Sequence, residues 1–365
     1  MRRSRRLFLA EVGALSVAAA APAGALRLDR EPRGPIRLAA NENPFGPSPR
    51  ARAAAERALA DGHRYPASRA AEELRAEIAR RHGVPDSNVL LGAGSHEILR
   101  LAAGAFAGST QKRIVAPELT FEALLRYASP FAPAVVRVPS PPDFRVEPDA
   151  LAKAAGESSA LVYLANPNSP TGLALDGAAI EALARALPAG STLLLDEAYI
   201  DFADDPKIES GIPLVAKGLP VVVTRTFSKL HGLAGLRIGY GVAAPEALRT
   251  MEAFRTSLAV SSPALAAARA AMDDAAYIAK SLELVGRGRQ QIRTGLEAMG
   301  LRSLPSHGNF VFFDWGKPAE PLVTALWDKE IEVPLPFAPA ATWVRVTVGT
   351  EAENAAFLAA VARAR

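Results

Sequence analysis

The chain has 365 residues, 49% hydrophobic and 22% charged. That balance suits a globular protein of about two or three domains and excludes disordered, collagenous and coiled-coil chains. It has no cysteine, which excludes disulfides, thiolate metal sites and a cysteine nucleophile. The formal charge of +4 would suit an acidic partner only if it lay on the folded surface.

Much of the charge sits at the start of the chain. Arg2, Arg3, Arg5 and Arg6 precede an Ala-rich apolar run from Leu7 to about Ala21, and Ala21-Pro22-Ala23-Gly24-Ala25 follows. This is the order of basic region, apolar region and small-residue cleavage site in an export signal. Ser4-Arg5-Arg6-Leu7-Phe8-Leu9 resembles the twin-arginine consensus, which a receptor reads. The run is too short and too Ala-rich for a stable membrane anchor. Residues 1–25 are therefore expected to be a removable twin-arginine signal, sending the mature chain to the periplasm or outside the cell. A basic N-terminus kept in the cytoplasm is the alternative. Removing its four arginines and Glu11 brings the charge from +4 to +1, so no nucleic-acid partner is expected.

The remainder reads as α/β. Apolar, β-branched runs at Val89–Leu91, Arg113–Ala116, Ala134–Val138, Ala160–Leu164, Thr192–Leu195 and Val221–Thr226 have the character of buried parallel strands. Helical patterns lie between them at Ala70–His82, His96–Ala107, Phe121–Ala128, Pro148–Ala155 and Asp176–Ala186. This alternation predicts a large, mainly parallel sheet domain over residues 51–260. Beyond residue 261 the pattern changes to Ala-, Arg- and Leu-rich helices reaching about Met299. Strands follow at Asn309–Asp314 and Trp343–Val348, with a last helix from Glu351. Residues 261–365 are expected to form a smaller α+β domain, with residues 26–50 joining it or lining the cleft.

Candidate chemistry gathers at strand ends, where ligands of open α/β sheets bind. Lys229 follows the strand Val221–Thr226 in a setting of apolar and small residues. Asp196 closes the strand Thr192–Leu195. A lysine and an acid brought to one ligand are the pair that pyridoxal phosphate (PLP) requires, the first for a Schiff base and the second for the ring nitrogen. Gly92-x-Gly94 lacks a third glycine at position 97, which is Glu97, so a dinucleotide fingerprint is a poor reading. The five histidines (His63, His82, His96, His231, His307) contain no H-x-x-x-H pair, and no metal site is expected.

Further motifs carry a resemblance. They are Asn41-Glu42-Asn43-Pro44-Phe45-Gly46, Arg64-Tyr65-Pro66, Gly94-Ser95-His96-Glu97, Asn166-Pro167-Asn168-Ser169-Pro170-Thr171-Gly172, Asp196-Glu197-Ala198-Tyr199, Arg225-Thr226-Phe227-Ser228-Lys229, Gly235-Leu236-Arg237-Ile238-Gly239 and Val344-Arg345-Val346-Thr347-Val348-Gly349. In this order they resemble the fold-type I, class II PLP-dependent aminotransferases, in their histidinol-phosphate aminotransferase branch. The resemblance runs from about Ile36 to the C-terminus. It implies a seven-stranded large-domain sheet and transamination between an amino acid, or a histidinol-phosphate-like amine, and a 2-oxo acid by a ping-pong route. A PLP-dependent decarboxylase or lyase is the alternative on the same scaffold.

The resemblance also implies roles. Lys229 would be the catalytic lysine and Asp196 the partner of the ring nitrogen. Tyr199 would donate to the ring oxygen and Phe121 would stack on the ring. Ser95, His96, Thr226, Ser228 and Arg237 would hold the cofactor phosphate. Tyr65 would reach the phosphate of a partner subunit, which implies a homodimer with shared sites. Arg345 would hold the substrate α-carboxylate, and Asn43 is placed with it on the substrate side.

Three departures from the family pattern bear on the substrate. The stacking motif reads Pro117-Glu118-Leu119-Thr120-Phe121, without a phenol. The usual asparagine before Pro-Thr-Gly is Ser169, so Asn168 is expected to take its contact with the ring oxygen, with Ser169 as the alternative. No cation lies between Ile331-Glu332-Val333 and Arg345. Without one a substrate phosphate would lose a charge-assisted contact. Leu335, Phe337 and Trp343 point instead to a less charged or aromatic substrate side chain.

Overall fold

The computed structural model describes residues 34–108, 112–157 and 159–365. The export signal expected at residues 1–25 lies outside them. In chain order the elements are β1 (Ile36–Arg37), α1 (Pro49–Leu59), α2 (Ser68–His82), β2 (Val89–Gly92), α3 (Ser95–Ala107), β3 (Arg113–Pro117), α4 (Ala123–Ala128), β4 (Ala134–Val138), α5 (Pro148–Ala155), β5 (Ala160–Ala165), α6 (Gly177–Ala186), β6 (Thr192–Asp196), α7 (Ile212–Ala216), β7 (Val221–Thr226) and β8 (Gly239–Val242). They continue with α8 (Pro245–Glu252), α9 (Ser262–Met272), α10 (Ala275–Ala298), β9 (Phe310–Asp314), α11 (Glu320–Trp327), β10 (Ile331–Glu332), β11 (Trp343–Thr347) and α12 (Glu351–Ala364).

Seven strands form one sheet in the order β2-β8-β7-β6-β5-β3-β4. Neighbours from β7 to β4 pair in parallel, and β8 runs antiparallel to both β2 and β7. The strands β5, β6 and β7 are apolar on both sides because helices cover both faces of the sheet. Alternate residues divide between two cores. Val162, Leu164, Leu193, Leu195, Val221 and Val223 face one, while Leu161, Tyr163, Leu194 and Val222 face the other with α3 and α4.

The antiparallel β8 was not among the expected strands. Two of its four residues are glycine, which weakens the β-branched signal. Both are needed for close packing. A Cβ on Gly239 would stand 2.6 Å from the Ser95 amide nitrogen and 2.7 Å from the Arg225 carbonyl, and one on Gly241 would meet Ile98 at 2.9 Å.

A second core is drawn from α10, β9, α11, β10, β11 and α12. There β11 pairs antiparallel with β9, and β10 pairs in parallel with β1, tying the segment before residue 50 to the C-terminal part of the chain. Helix α9, although beyond residue 261, buries Ala264, Leu265, Ala268 and Met272 in the core of the large sheet. Helices α1 and α9 pack side by side.

Candidate active site

A cavity of about 300 Å³ opens at the carboxyl ends of the parallel strands, closed on the other side by residues 40–42 and by Arg345 of β11. It gathers most of the sequence-derived candidates. Ser95, His96, Phe121, Asp196, Tyr199, Thr226, Ser228, Lys229, Arg237 and Arg345 all line it.

At one end are groups suited to an anion. Helix α3 starts at Ser95 with no side-chain cap, so the amides of Ser95 and His96 have no partner within the helix, and the helix dipole favours negative charge there. The backbone needs Gly94 at this point. Its φ is +78°, and a Cβ would lie 2.3 Å from Arg237 Nη2. Thr226 Oγ1 bonds Ser228 Oγ at 2.9 Å. Arg237 donates to the Ala234 carbonyl at 2.7 Å and has no acidic partner among the described residues. Burial, with Arg237, Lys229 and Arg126 nearby, pushes His96 below its ordinary pKa. Its ring is neutral near pH 7, bonded through Nδ1 to Tyr127 Oη at 2.7 Å and edge-on to Phe121.

At the floor is Asp196. Burial pushes its carboxyl up to about 6. It accepts hydrogen bonds from Tyr163 Oη and the Ala198 amide, both at 3.2 Å. Lys229 Nζ donates to the Ala40 carbonyl at 2.8 Å and lies 5.6 Å from the centre of the Tyr199 ring. Tyr199 Oη accepts from Asn41 Nδ2 at 2.9 Å. Asn41 is fixed in turn by Thr347, whose Oγ1 accepts from the Asn41 amide at 2.9 Å and donates to Asn41 Oδ1 at 3.1 Å. The phenol proton of Tyr199 is thereby left for an acceptor inside the cavity.

Arg345 completes the far side. It is buried, donates to Ser169 Oγ at 2.8 Å and to the Ala39 carbonyl, and pairs with no carboxylate among the described residues. Its Nε has no hydrogen-bond partner among the described residues. Burial holds its pKa below the ordinary value for arginine. A buried guanidinium in this condition fits an anionic ligand.

Three candidates stand elsewhere. Asn168 does not line the cavity. Its Nδ2 donates to the Leu119 carbonyl and to Thr171, and its Oδ1 accepts from Thr120, so the amide serves the loop and Ser169 faces the cavity instead. Asn43 is equally engaged, with Leu230, Ser281 and the Phe45 amide. The motif presents Asn41 and Glu42 to the cavity, two residues and one residue earlier. Tyr65 lies outside, 83% exposed.

Of the apolar residues expected beside the substrate, Phe337 lies against the Arg345 guanidinium, 5.2 Å from its ring centre, whereas Trp343 is stacked on Phe312 in an aromatic cluster and Leu335 is exposed. A cation missed in the sequence, Arg126 of α4, lines the cavity mouth. The acids near it are engaged, Glu122 with Arg137 at 2.6 Å and Glu42 with Arg37 at 3.1 Å. Arg126 itself makes no ion pair among the described residues. One signal could have found it. It lies five residues after Phe121, in the short helix α4 that begins two residues beyond that ring.

The family model for aminotransferase class I and II matches residues 33–361. The chain belongs to this family. It is 39% identical to the histidinol-phosphate aminotransferase of Anaeromyxobacter sp. (strain Fw109-5), over 90% of each chain. Among solved structures, a histidinol-phosphate aminotransferase from Sinorhizobium meliloti in complex with pyridoxal-5'-phosphate superposes with a TM-score of 0.84 at 31% identity, covering 91% of each chain. An L-threonine-O-3-phosphate decarboxylase from Porphyromonas gingivalis superposes with a TM-score of 0.76 over 90% of this chain and 96% of that one. Its identity is 24%, a likeness of fold. A class I and II aminotransferase site has to hold a phosphorylated cofactor ring and an amino acid. The uncapped helix, the floor acid and three arginines without acidic partners among the described residues suit that load.

Proposed function

We propose that Lys229, Asp196, Tyr199 and Arg345 carry out PLP-dependent transamination in this cavity. The protein is an aminotransferase that moves an amino group between an amino acid or related amine and a 2-oxo acid. When bound, PLP supplies an electron-poor ring that stabilises negative charge developing on the substrate carbon. Lys229 would hold the cofactor covalently and, once displaced by the substrate amine, would move a proton at Nζ as general base and then general acid. Asp196 would pair with the ring nitrogen. Tyr199, with its proton left free by Asn41, would donate to the ring oxygen. The amides of Ser95 and His96, with Thr226, Ser228 and Arg237, would hold the phosphate, and Phe121 would cover the ring. Ser169 replaces Asn168 as the polar neighbour on this side.

The observation that carries the reading is Arg345. A buried guanidinium without an acid, in the same cavity as Lys229 and Asp196, calls for the α-carboxylate of an amino acid. A single turnover without 2-oxo acid tests it. Conversion of bound PLP to pyridoxamine phosphate is expected. Release of CO₂ with PLP retained would overturn transamination in favour of decarboxylation.

We propose further that the amine donor carries a second anion, read by Arg126 at the mouth. Histidinol phosphate, named by the relatives, is not such a donor, since its phosphate is its one anion and stands where an amino acid carries its α-carboxylate. A panel of amines followed by loss of the bound-cofactor absorbance should rank donors with a distal phosphate or carboxylate above aromatic ones, and Arg126→Ala should narrow that gap. We also propose a homodimer. Tyr65, Phe254 and Leu258 are exposed around an apolar groove formed with Pro66, Ala71 and Val260, a surface that a second copy would cover. Sedimentation of the holoenzyme at the monomer mass would reject the dimer. Export through the twin-arginine route is proposed from residues 2–25, and a mature enzyme found only in the cytoplasmic fraction would reject it.

A further inference from the structure

The core between the sheet and α3 is lined by Leu, Ile, Ala and Val, and Tyr163 is fully buried within it. Tyr163 lies on β5 opposite Leu194 of β6, while Asp196, two residues further along β6, lies opposite Ala165. Residues Leu194 and Asp196 share a face, so Tyr163 reaches Asp196 on the diagonal, a separation that long side chains span. The small side chain of Ala165 leaves the space open. Among the described residues the Tyr163 hydroxyl makes one bond, to Asp196 Oδ2 at 3.2 Å. Phenylalanine would satisfy the surrounding packing equally well. The hydroxyl is explained by the carboxylate.

We infer that Tyr163 is a positioning residue that holds the Asp196 carboxylate ionised and aimed at the ring nitrogen of the cofactor. This rests on the role proposed above for Asp196. The chemistry supports one direction of donation. Burial and the adjacent carboxylate push the Tyr163 phenol well above its ordinary pKa, so it keeps its proton and acts as a donor. Among the described residues Asp196 has one other donor, the Ala198 amide. A carboxylate that must stay charged inside a dry core depends on each bond to its charged form. Removing the Tyr163 bond favours the protonated acid, which offers the ring nitrogen no negative charge.

The test is Tyr163→Phe, with PLP affinity measured across pH 5.5–9 and thermal stability measured on the same samples. The substitution is isosteric in an apolar setting, so the fold should persist with a melting temperature near that of wild type. The PLP dissociation constant should rise about tenfold to a hundredfold near neutral pH, the range for losing a hydrogen bond to a charged group. The pH at which affinity is half lost should also move upward. Unchanged affinity and an unchanged pH profile would overturn the assignment. Asp196→Asn separates the two levels. If it weakens PLP and Tyr163→Phe does not, only the Tyr163 role falls. If Asp196→Asn binds PLP like wild type, the reading of Asp196 falls and the Tyr163 role with it. Should Tyr163→Phe fold poorly, Tyr163→Leu, apolar and without a hydroxyl at that position, repeats the affinity comparison under the same two outcomes.

Discussion

Arg345 shows how a single residue can be costly for the fold and valuable for the site. Its guanidinium is buried, Nε is unpartnered, and its contacts are neutral oxygens. Without substrate it is a desolvated charge, so Arg345→Gln is expected to leave the melting temperature unchanged or raise it by a few degrees. The same variant should lose the charge-assisted contact with the α-carboxylate, raising KM for the amino acid roughly 30-fold or more. Stability and KM measured together decide it, and a variant less stable with unchanged KM would mean a structural arginine. Lys229, Asp196, Tyr199 and Arg345 were legible in the sequence because strand ends and motif order fix them. Asn168 and Asn43 were not. In both motifs neighbouring polar residues compete for the cavity, and the loop alone decides which turns inward. Asn41 wins in one case, held by Thr347 from the far end of the chain, and Ser169 in the other. The contact between Tyr163 and Asp196 depends on the register of β5 against β6, which strand assignment by itself does not supply.

At the scale of elements, the cofactor end depends on how closely β8 approaches the start of α3. Gly239 makes that approach possible, since its missing side chain would strike backbone atoms of Ser95, Gly94 and Arg225 within 2.7 Å. Backbone cannot swing aside as a side chain can. Gly239→Ala should therefore push the first turn of α3 outward, destabilising the protein by about 1–3 kcal/mol and weakening PLP more than that loss of stability explains. Gly286→Ala is the matched control. Gly286 lies within α10 with no atom near its would-be Cβ, so alanine should stabilise the helix by about 0.5–1 kcal/mol. Equal effects of the two on PLP affinity would contradict the role of β8. The parallel strands were read from their aliphatic runs, whereas β8 was hidden by the glycines that give it its purpose. The two-residue pairing of β1 with β10 was too short to carry any pattern.

At the scale of the molecule, two cores meet across the cavity, and polar groups cross between them. Asp204 receives Arg289 at 2.6 Å and lies 3.0 Å from His307 Nδ1, while Asn41 links Thr347 to Tyr199. Behind β7 is a second polar cluster. Arg225 pairs with Glu197 at 3.2 Å and with Asp201, and His231 packs on Phe227 with Nδ1 unpartnered. Burial, reinforced by Arg225, holds His231 down to about 4. A histidine whose pKa is depressed on folding contributes its stability above the unfolded value near 6.5 and loses it as pH falls toward the folded value. Asp196 has the opposite sign. Raised to about 6, it favours the folded state at low pH and costs stability as pH rises from about 4 to 6, offsetting part of the histidine effect in that window. Replacing His231 isolates its share. Between pH 7 and pH 5 the His231→Phe variant should lose about 2 kcal/mol less unfolding free energy than wild type. Denaturant unfolding of both proteins at the two pH values measures the difference. Parallel losses would show that His231 accepts its proton inside the folded protein as readily as in water, and that the cluster behind β7 is more open to solvent than its packing implies.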